Sequence, residues 1–389
     1  MALADLVSNI GSQLDKGHPT FGLFIDLKKA FDTINHDILL QKMEHYGIRG
    51  IPLHWFRNYL TNRKQSVTIN DTLSPYKVIR CGVPQGSILG PIMFLIYIND
   101  IANSTNFFHF RLFADDTNLF NFIEENTISL THMNLEFQRV YEWCKANKLT
   151  INVEKTNYMI FKTTRKRVNI EGELIIDENQ LQEVPSAIYL GVSLDQNLNW
   201  KTHIQKVVNT ISPKVGLISQ LRHYLPQYVL LTLYNAIILP HITYCIELWG
   251  NTFATHLDPI LRLQKKVVRL ITFSDFRAPT ANLFKQLQIL DVHKLCKLHT
   301  CLFIFDLIRN HYFHDIHHYL DEIPHQYPTR VADCNNFSIP KVSLTQSKHN
   351  IKYAATIHWN SLPNQIKSIS NRNVFITTLK AHLFSKHPE

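Results

Sequence analysis

RLFADDTNLF, residues 111–120, sets two carboxylates, Asp115 and Asp116, side by side between the apolar flanks RLFA and NLF. Adjacent like charges repel, and burial raises that cost unless a cation stands in front of them. Two readings follow. An Asp-Asp pair at a bend is ordinary turn chemistry, because aspartate shapes turns through its own side chain. The other reading is a cation site, which needs further oxygen donors from elsewhere in the chain. The residues on either side, HFRLF and TNLFNF, are strand-like, so the stretch reads as a hairpin bent at the acids.

A further donor is available upstream. TFGLFIDL (20–27) has the apolar, aromatic look of a buried strand and ends in a lone acid, Asp26. If this strand pairs beside the hairpin, acids about 90 positions apart converge. Hard divalent cations take oxygen ligands, and magnesium is held by one or two carboxylates together with substrate phosphates. Two such ions about 4 Å apart activate an attacking hydroxyl and stabilise a departing pyrophosphate oxygen, which is nucleotidyl-transfer chemistry.

The bulk composition sets outer bounds. With 389 residues, 45% of them apolar and 11% aromatic, the chain has core material for two or three domains, which excludes a disordered or fibrous protein. The formal charge of +9 allows a polyanionic partner without requiring one. Six cysteines (Cys81, Cys144, Cys245, Cys296, Cys301 and Cys334) form no CxxC pair, so neither a disulfide framework nor a zinc knuckle is expected, and a reducing compartment is. The opening MALADLVSNIGSQLDKG lacks a basic start and a long apolar run, so it does not read as a signal peptide. VLLTLYNAIIL (229–239) is stopped by Pro240 and His241 short of a bilayer's width and reads as a buried helix, so no membrane association is expected.

Between these landmarks, NHDILLQKMEHYG predicts a helix capped by Asn35 and stopped at Gly47, and Pro52 opens a second helix through Trp55 and Tyr59. QSVTIN and YKVIRC predict a β pair around Ser74 and Pro75, and GVPQGSILGP (82–91) a loop feeding the helix IMFLIYINDI. A helix over about 127–147 precedes KLTINVEKTNYMIF (148–161), strand-like on both sides of Lys155, and the β pattern ends with YLGVSLDQNLNW (189–200). From Lys201 the chain turns helical. In HLDPILRLQKKVVRLITFS, Arg262, Lys266 and Arg269 share one face, readable as a phosphate-tracking stripe or simply as a solvated one, while Leu257, Ile260, Val267 and Ile271 share another. His311, His314, His317 and His318 have zinc-like spacing, but with no cysteine nearby in a chain holding 21 histidines they read as a polar helix or loop. There is no internal repeat and no low-complexity tract.

FGLFIDLKKAFDTI, GVPQGSILGPIMFLIYINDI, LFADDTNLF, KLTINVEKTNYMIF and YLGVSLDQNLNW resemble, in order and spacing, the palm motifs of reverse transcriptases, specifically those of non-LTR (LINE-type) retrotransposons. LYNAIILPHITYCIELWG and LRLQKKVVRLIT resemble the helical thumb of that family, and WNSLPNQIK its C-terminus, so essentially the whole chain is covered. Telomerase-like and intron-encoded enzymes share the palm, and the WNSLP region argues against them. The resemblance implies an α+β fold: an antiparallel palm sheet with helices on one face over residues 1–198, a helical thumb over 199–275 and a C-terminal helical region over 276–389.

It also implies roles, residue by residue. Asp26 and Asp115 match the acids that hold two magnesium ions, with manganese as a substitute, Asp116 is the second hairpin acid, and the backbone carbonyl of Leu27 completes the shell. Asp32 reads instead as a helix entry or a polar contact. Phe31 matches the aromatic gate that excludes a ribose 2'-hydroxyl; read alone it is a core phenylalanine. Gln85 and Gly86 lie near the incoming nucleotide, in a loop whose Gly82, Gly86 and Pro84 suit close approach by a ligand. Lys155 matches the lysine that protonates the leaving pyrophosphate; read alone it is a surface lysine at a turn. Tyr189, Leu190 and Gly191 match the primer grip, and Lys201, Lys206, Lys214 and Arg222 follow where they could track phosphates. The partners implied are an RNA template, a DNA primer and a dNTP, in the nucleus or cytoplasm.

The chain departs from the family at its start. Asp26 comes after only 25 residues, where relatives carry a fingers region whose basic residues clamp the triphosphate; an upstream endonuclease and an RNase H region are not evident either. The expectation is a truncated element with weak or absent activity, the alternative function being an inactive nucleic-acid-binding remnant. A palm sheet without fingers is further expected to expose apolar surface along one side.

Overall fold

The computed structural model describes residues 2–125, 127–309, 319–322 and 336–385. His311, His314, His317, His318 and Cys334 lie outside them. The chain forms two compact units, one of His18–Pro185 and the other of Met1–Gly17 with Ser186–Glu389.

The first unit is built on a four-stranded antiparallel sheet in the spatial order His109–Phe113, Asp116–Phe122, Thr20–Ile25, Asn157–Phe161. Thr20–Ile25 is central and buried at every position, as its uninterrupted apolar run requires. One face presents Phe21, Leu23, Ile25, Leu119 and Ile160 to the helices His36–His45, Leu89–Ile98 and Leu130–Ala146, which contribute Leu39, Met43, Met93, Phe94, Phe137 and Val140. Each large side chain so buried stabilises the fold by ~1.5–3 kcal/mol. The opposite face carries Gly22, Phe24, Phe120 and Phe161, and Gly22 is needed there: a β-carbon would meet the Phe120 ring at 2.9 Å. Tyr97 locks the helices at one end, its hydroxyl donating to the carbonyl of Asn147 at 2.5 Å and accepting from the amide of Asn35 at 3.4 Å.

The local signals in the sequence have visible causes. Asn35 caps its helix by accepting from the Ile38 amide, and Gly47 leaves it at φ +92°. The first three residues of the stretch expected as helix from 127, Thr127–Ser129, instead pair in parallel with Asn169–Glu171, so the helix starts at Leu130. Of the stretch expected as strand around Lys155, only Asn157–Phe161 is a strand; its first half makes one bridge, Ile151 to Leu27. The expected pairing of QSVTIN with YKVIRC forms at its base, where Lys64 and Gln65 pair with Val78 and Lys77, but the turn is not at Ser74 and Pro75: an inner hairpin of Thr68–Ile69 with Thr72–Leu73 has its tip at Asn70–Asp71. Both tip residues have positive φ, as a type I' turn requires and as asparagine and aspartate tolerate. Exposed apolar residues are present, but not on the central strand. Ile51, Trp55, Ile92 and Leu95 lie on helices and Ile88 just before one, Ile69, Leu73 and Val78 lie on the small hairpin strands, and Phe113, 55% exposed, lies on the edge strand of the sheet.

In the second unit, the hairpin Ser186–Tyr189 and Val192–Asp195 leads into the helix Lys201–Leu221. Asp195 sets that junction: its carboxylate accepts from the amides of Asn197, Asn199 and Trp200, holding Trp200 in a left-handed conformation at the helix start. Ala254–Ile271 packs on this helix, with Leu257, Ile260, Val267 and Ile271 buried and Arg262 and Lys266 outward. Within 229–239 only every fourth residue, Leu230, Tyr234 and Ile238, is buried, so the segment is amphipathic rather than wholly buried. Among the described residues no helix is long and apolar enough to cross a membrane. Val292–Arg309, Ile351–Asn360 and Arg372–Ser385 form a further helical layer, joined by the bidentate pair of Arg372 with Asp306 at 2.8 and 3.0 Å. The first helix, Ala2–Lys16, belongs to this unit through Asp15, which accepts from the amides of Ser343 and Leu344.

Candidate active site

The acids are gathered by register. Ile25 pairs with Thr117 as the last rung of the ladder, so Asp26 leaves its strand beside Asp116, which in turn pairs with Phe113 across the hairpin. Ala114 and Asp115 form the two-residue bend. Ala114 turns it at φ +50°, a left-handed conformation that costs a residue with a β-carbon and concentrates at functional sites. The electrostatics agree with this placement. Burial, then the charge of Asp115, then that of Asp26 push the Asp116 carboxyl above its ordinary range.

Asp26 is held from the other side by the turn before the last strand. Asn152 Nδ2 donates to Asp26 Oδ2 at 2.9 Å, the Asn152 amide donates to the Asp26 carbonyl at 2.7 Å, and the Asp26 amide donates to Thr156 Oγ1 at 3.3 Å. Lys155, on the same turn, sets its ammonium 4.0 Å from Asp26 Oδ2 and is largely exposed. Leu27 is buried.

The loop Gly82–Ser87 is strapped to the segment that follows Asp26. Val83 donates to the Phe31 carbonyl, Gly82 to that of Ile34, and Gln85 Nε2 to Asp32 Oδ1 at 2.9 Å. Gly82 sits at φ +84° with Asp32 backbone atoms 2.8–3.0 Å from where a β-carbon would be, so only glycine fits. Gly86, at φ +79°, faces open space. Phe31 is half-buried, its ring 4.9 Å from that of Phe94.

Asp26, Asp115, Asp116, Lys155, Leu27, Phe31, Gln85 and Gly86 thus all belong to one unit, whereas Tyr189, Leu190, Gly191, Lys201, Lys206, Lys214 and Arg222 belong to the other. Asn152 and Thr156 are missed by a reading of charged residues; the signal available was their place flanking Lys155. Of the two readings of Asp32, the polar contact is the one observed. Among the described residues no three His, Cys, Asp or Glu side chains converge enough to hold a metal ion unaided. The three aspartates nonetheless offer the hard oxygen donors a magnesium-type ion takes, and such an ion needs only one or two carboxylates when substrate phosphates complete its shell.

A family model described as "Reverse transcriptase (RNA-dependent DNA polymerase)" matches residues 4–194. Relatives include the probable RNA-directed DNA polymerase from transposon X-element of Drosophila melanogaster, 27% identical over 74% of this chain and 32% of its own length. The RNA-directed DNA polymerase from mobile element jockey of the same species is 25% identical over 69% of this chain and 30% of its own. A solved telomerase from Candida albicans superposes with a TM-score of 0.40 at 13% identity, over 74% of this chain and 54% of that one. Residues 4–194 therefore form a reverse transcriptase domain, and the chain resembles the RNA-directed DNA polymerases of these retrotransposons. It spans about a third of the length of the curated relatives it matches.

Proposed function

We propose that the chain carries the catalytic centre of an RNA-directed DNA polymerase, which extends a primer 3'-hydroxyl with dNTPs on an RNA template. The observation that carries this reading is the last rung of the ladder, Ile25 with Thr117, which leaves Asp26 beside Asp116 and the Asp115 bend, close enough for its charge to act on Asp116. A pair of magnesium ions would supply hydroxyl activation and pyrophosphate stabilisation when bound. Asp26 and Asp115 would hold them, with the Leu27 carbonyl completing the shell and Asp116 adding charge beside it. Asn152 keeps one Asp26 oxygen occupied and thereby fixes the direction of the other.

Lys155 stands within electrostatic reach of the acids and would donate the proton the leaving pyrophosphate needs. Phe31 would lie under the incoming sugar and exclude a 2'-hydroxyl, with Gln85 and Gly86 against the nucleotide. Tyr189, Leu190 and Gly191 would hold the primer end, and Lys201, Lys206, Lys214 and Arg222 would follow backbone phosphates. The functional division we propose is palm 1–198, thumb 199–275 and C-terminal region 276–389. Primer extension on an RNA template with magnesium tests the proposal. Extension is expected from a full-length element protein carrying this chain, which spans about a third of its relatives' length, and not from the same protein with Asp115→Asn, the chain alone extending weakly or not at all; equal extension by the full-length protein and its variant would refute the proposal.

A further inference from the structure

The helix Ile51–Leu60 turns most of its surface to solvent, burying only Leu53 and Leu60. Ile51, Trp55 and Tyr59 recur along it every four residues, the spacing that sets side chains one above the other. The Trp55 and Tyr59 rings are stacked, 11° from parallel with centroids 5.3 Å apart, and the Phe56 ring meets Trp55 edge-on at 5.2 Å. Phe56 and Tyr59 themselves pack against the core of the first unit. The indole is therefore fixed in place, yet it stays 52% exposed. Past the helix the chain turns through Asn62 at φ +57°, and Arg63 sets its guanidinium over the Tyr59 ring, 5.6 Å from the centroid. A cation thus adjoins the stack at Tyr59, and solvent reaches it at Trp55.

The charge around this ring has one sign. Between residues 45 and 99 the only acid is Asp71, against Arg49, Arg57, Arg63, Lys64, Lys77 and Arg80, whereas the chain as a whole has 40 Lys and Arg to 31 Asp and Glu. Arg49, Arg57 and Lys64 are exposed and Arg63 half-buried, and among the described residues none of the four is in an ion pair. Aromatic rings interleaved with unpaired cations are the composition that binds unpaired nucleic-acid strands, the rings taking bases and the cations the backbone. A nucleic-acid strand supplies both parts at every nucleotide, a flat ring and a negative charge. An acidic peptide supplies the charge throughout but a ring only where its sequence has one.

We propose that Trp55, fixed by Phe56 and Tyr59, is a stacking platform for an unpaired base of a single-stranded nucleic acid, whose backbone the surrounding arginines and lysine attract. The helix that carries it contributes none of the residues proposed for polymerisation, so this is a second binding site. The inference rests on the polymerase reading only for which strand arrives there. A duplex does not fit, because its bases already stack on one another and offer no free ring face. The ring pair is organised before the strand binds, so little ordering cost is left for the base to offset.

Tryptophan fluorescence of the full chain reads the contact directly, because Trp200, Trp249 and Trp359 are buried and Trp143 lies beneath the Lys42 ammonium. Titration with a single-stranded oligonucleotide is expected to quench wild type saturably and Trp55→Phe hardly at all; an unquenched wild type overturns the platform. Binding of the labelled strand is then compared between Trp55→Phe, which keeps a flat ring, and Trp55→Leu, which does not. The leucine variant is expected to bind about tenfold or more weakly than the phenylalanine one, and equal affinities overturn stacking. An abasic oligomer of the same length, a fully paired duplex and polyglutamate are each expected to leave Trp55 unquenched. Quenching by the abasic oligomer or the duplex as strong as by the unpaired strand overturns the base contact, and equal quenching by polyglutamate overturns the choice of nucleic acid. Replacing Arg57 and Arg63 together by methionine is expected to flatten the salt dependence of binding, and an unchanged dependence overturns the role given to these charges. Asp115→Asn is expected to quench like wild type, so the two readings fail separately: quenching without extension by the full-length protein removes the polymerase reading alone, and extension without quenching removes the platform alone.

Discussion

Asn152 reaches across 126 positions of sequence to donate a 2.9 Å hydrogen bond to Asp26 Oδ2. A carboxylate that must hold a cation needs one oxygen fixed and the other free, and partners of this kind typically carry 10–100-fold of metal affinity or activity. Asn152→Ala is therefore expected to raise the magnesium concentration for half-maximal primer extension by about tenfold or more, with little change in duplex affinity. An unchanged magnesium dependence would mean that the bond is only structural.

Asp116 bears the cost of the acid cluster. Its carboxyl is raised by burial, then by Asp115 and Asp26, so it binds its proton more tightly folded than unfolded. The native state then holds more protons than the unfolded chain between the ordinary aspartate value and the raised one, and stability falls as pH rises through that window. Above it the whole penalty is present. Asp116→Asn is expected to raise the melting temperature at neutral pH in metal-free buffer and to flatten its acid-side pH dependence. Magnesium is expected to stabilise wild type more than this variant. Thermal melts from pH 3.5 to 7.5 check all three points.

Ala114 makes the bend at φ +50°, where glycine is at ease and alanine is not. Ala114→Gly is expected to stabilise the fold by roughly 0.5–1 kcal/mol, the left-handed strain exceeding the added chain entropy of glycine. Chemical denaturation reads this directly. A loss of stability would show that the bend is not strained.

Gly82→Ala tests the strap beside the acids. The added β-carbon meets Asp32 backbone at 2.8 Å, and the φ of +84° is adverse for any side chain. A loss of about 1–3 kcal/mol is expected. Asp32→Ala, which removes only the bond to Gln85, is expected to leave stability nearly unchanged and to raise the KM for dNTP. Equal effects of the two substitutions on stability would contradict this division.

Where the sequence states a local preference, the structure follows it. The alternating apolar runs around Asp115, the asparagine ahead of HDILLQKMEH and the proline ahead of LHWFRNYL each act within a few residues, and each yields the expected element. What escapes the sequence is decided by partners far away. Asn152 matters because a turn 126 residues on folds against Asp26, and Tyr244 because its hydroxyl finds the Leu190 carbonyl. The Asn70–Asp71 tip was legible, since both residues tolerate left-handed backbone, but the Ser74–Pro75 pair offers a competing turn signal. Ser74 is instead used as an acceptor for the Val67 amide. That the first helix joins the C-terminal layer depends on Asp15 meeting the Ser343 and Leu344 amides, which no local pattern announces.

The most direct measurement is primer extension on an RNA template, with magnesium, by a full-length element protein carrying this chain as wild type, Asp26→Asn or Asp115→Asn, at matched folded concentration. The account predicts product from wild type, a loss of at least a thousandfold in both variants, on the order of the ~4 kcal/mol that removing a key electrostatic group costs, and retained duplex binding in all three. Extension by either variant at the wild-type rate, or its absence from a folded wild type that binds the duplex, would contradict it.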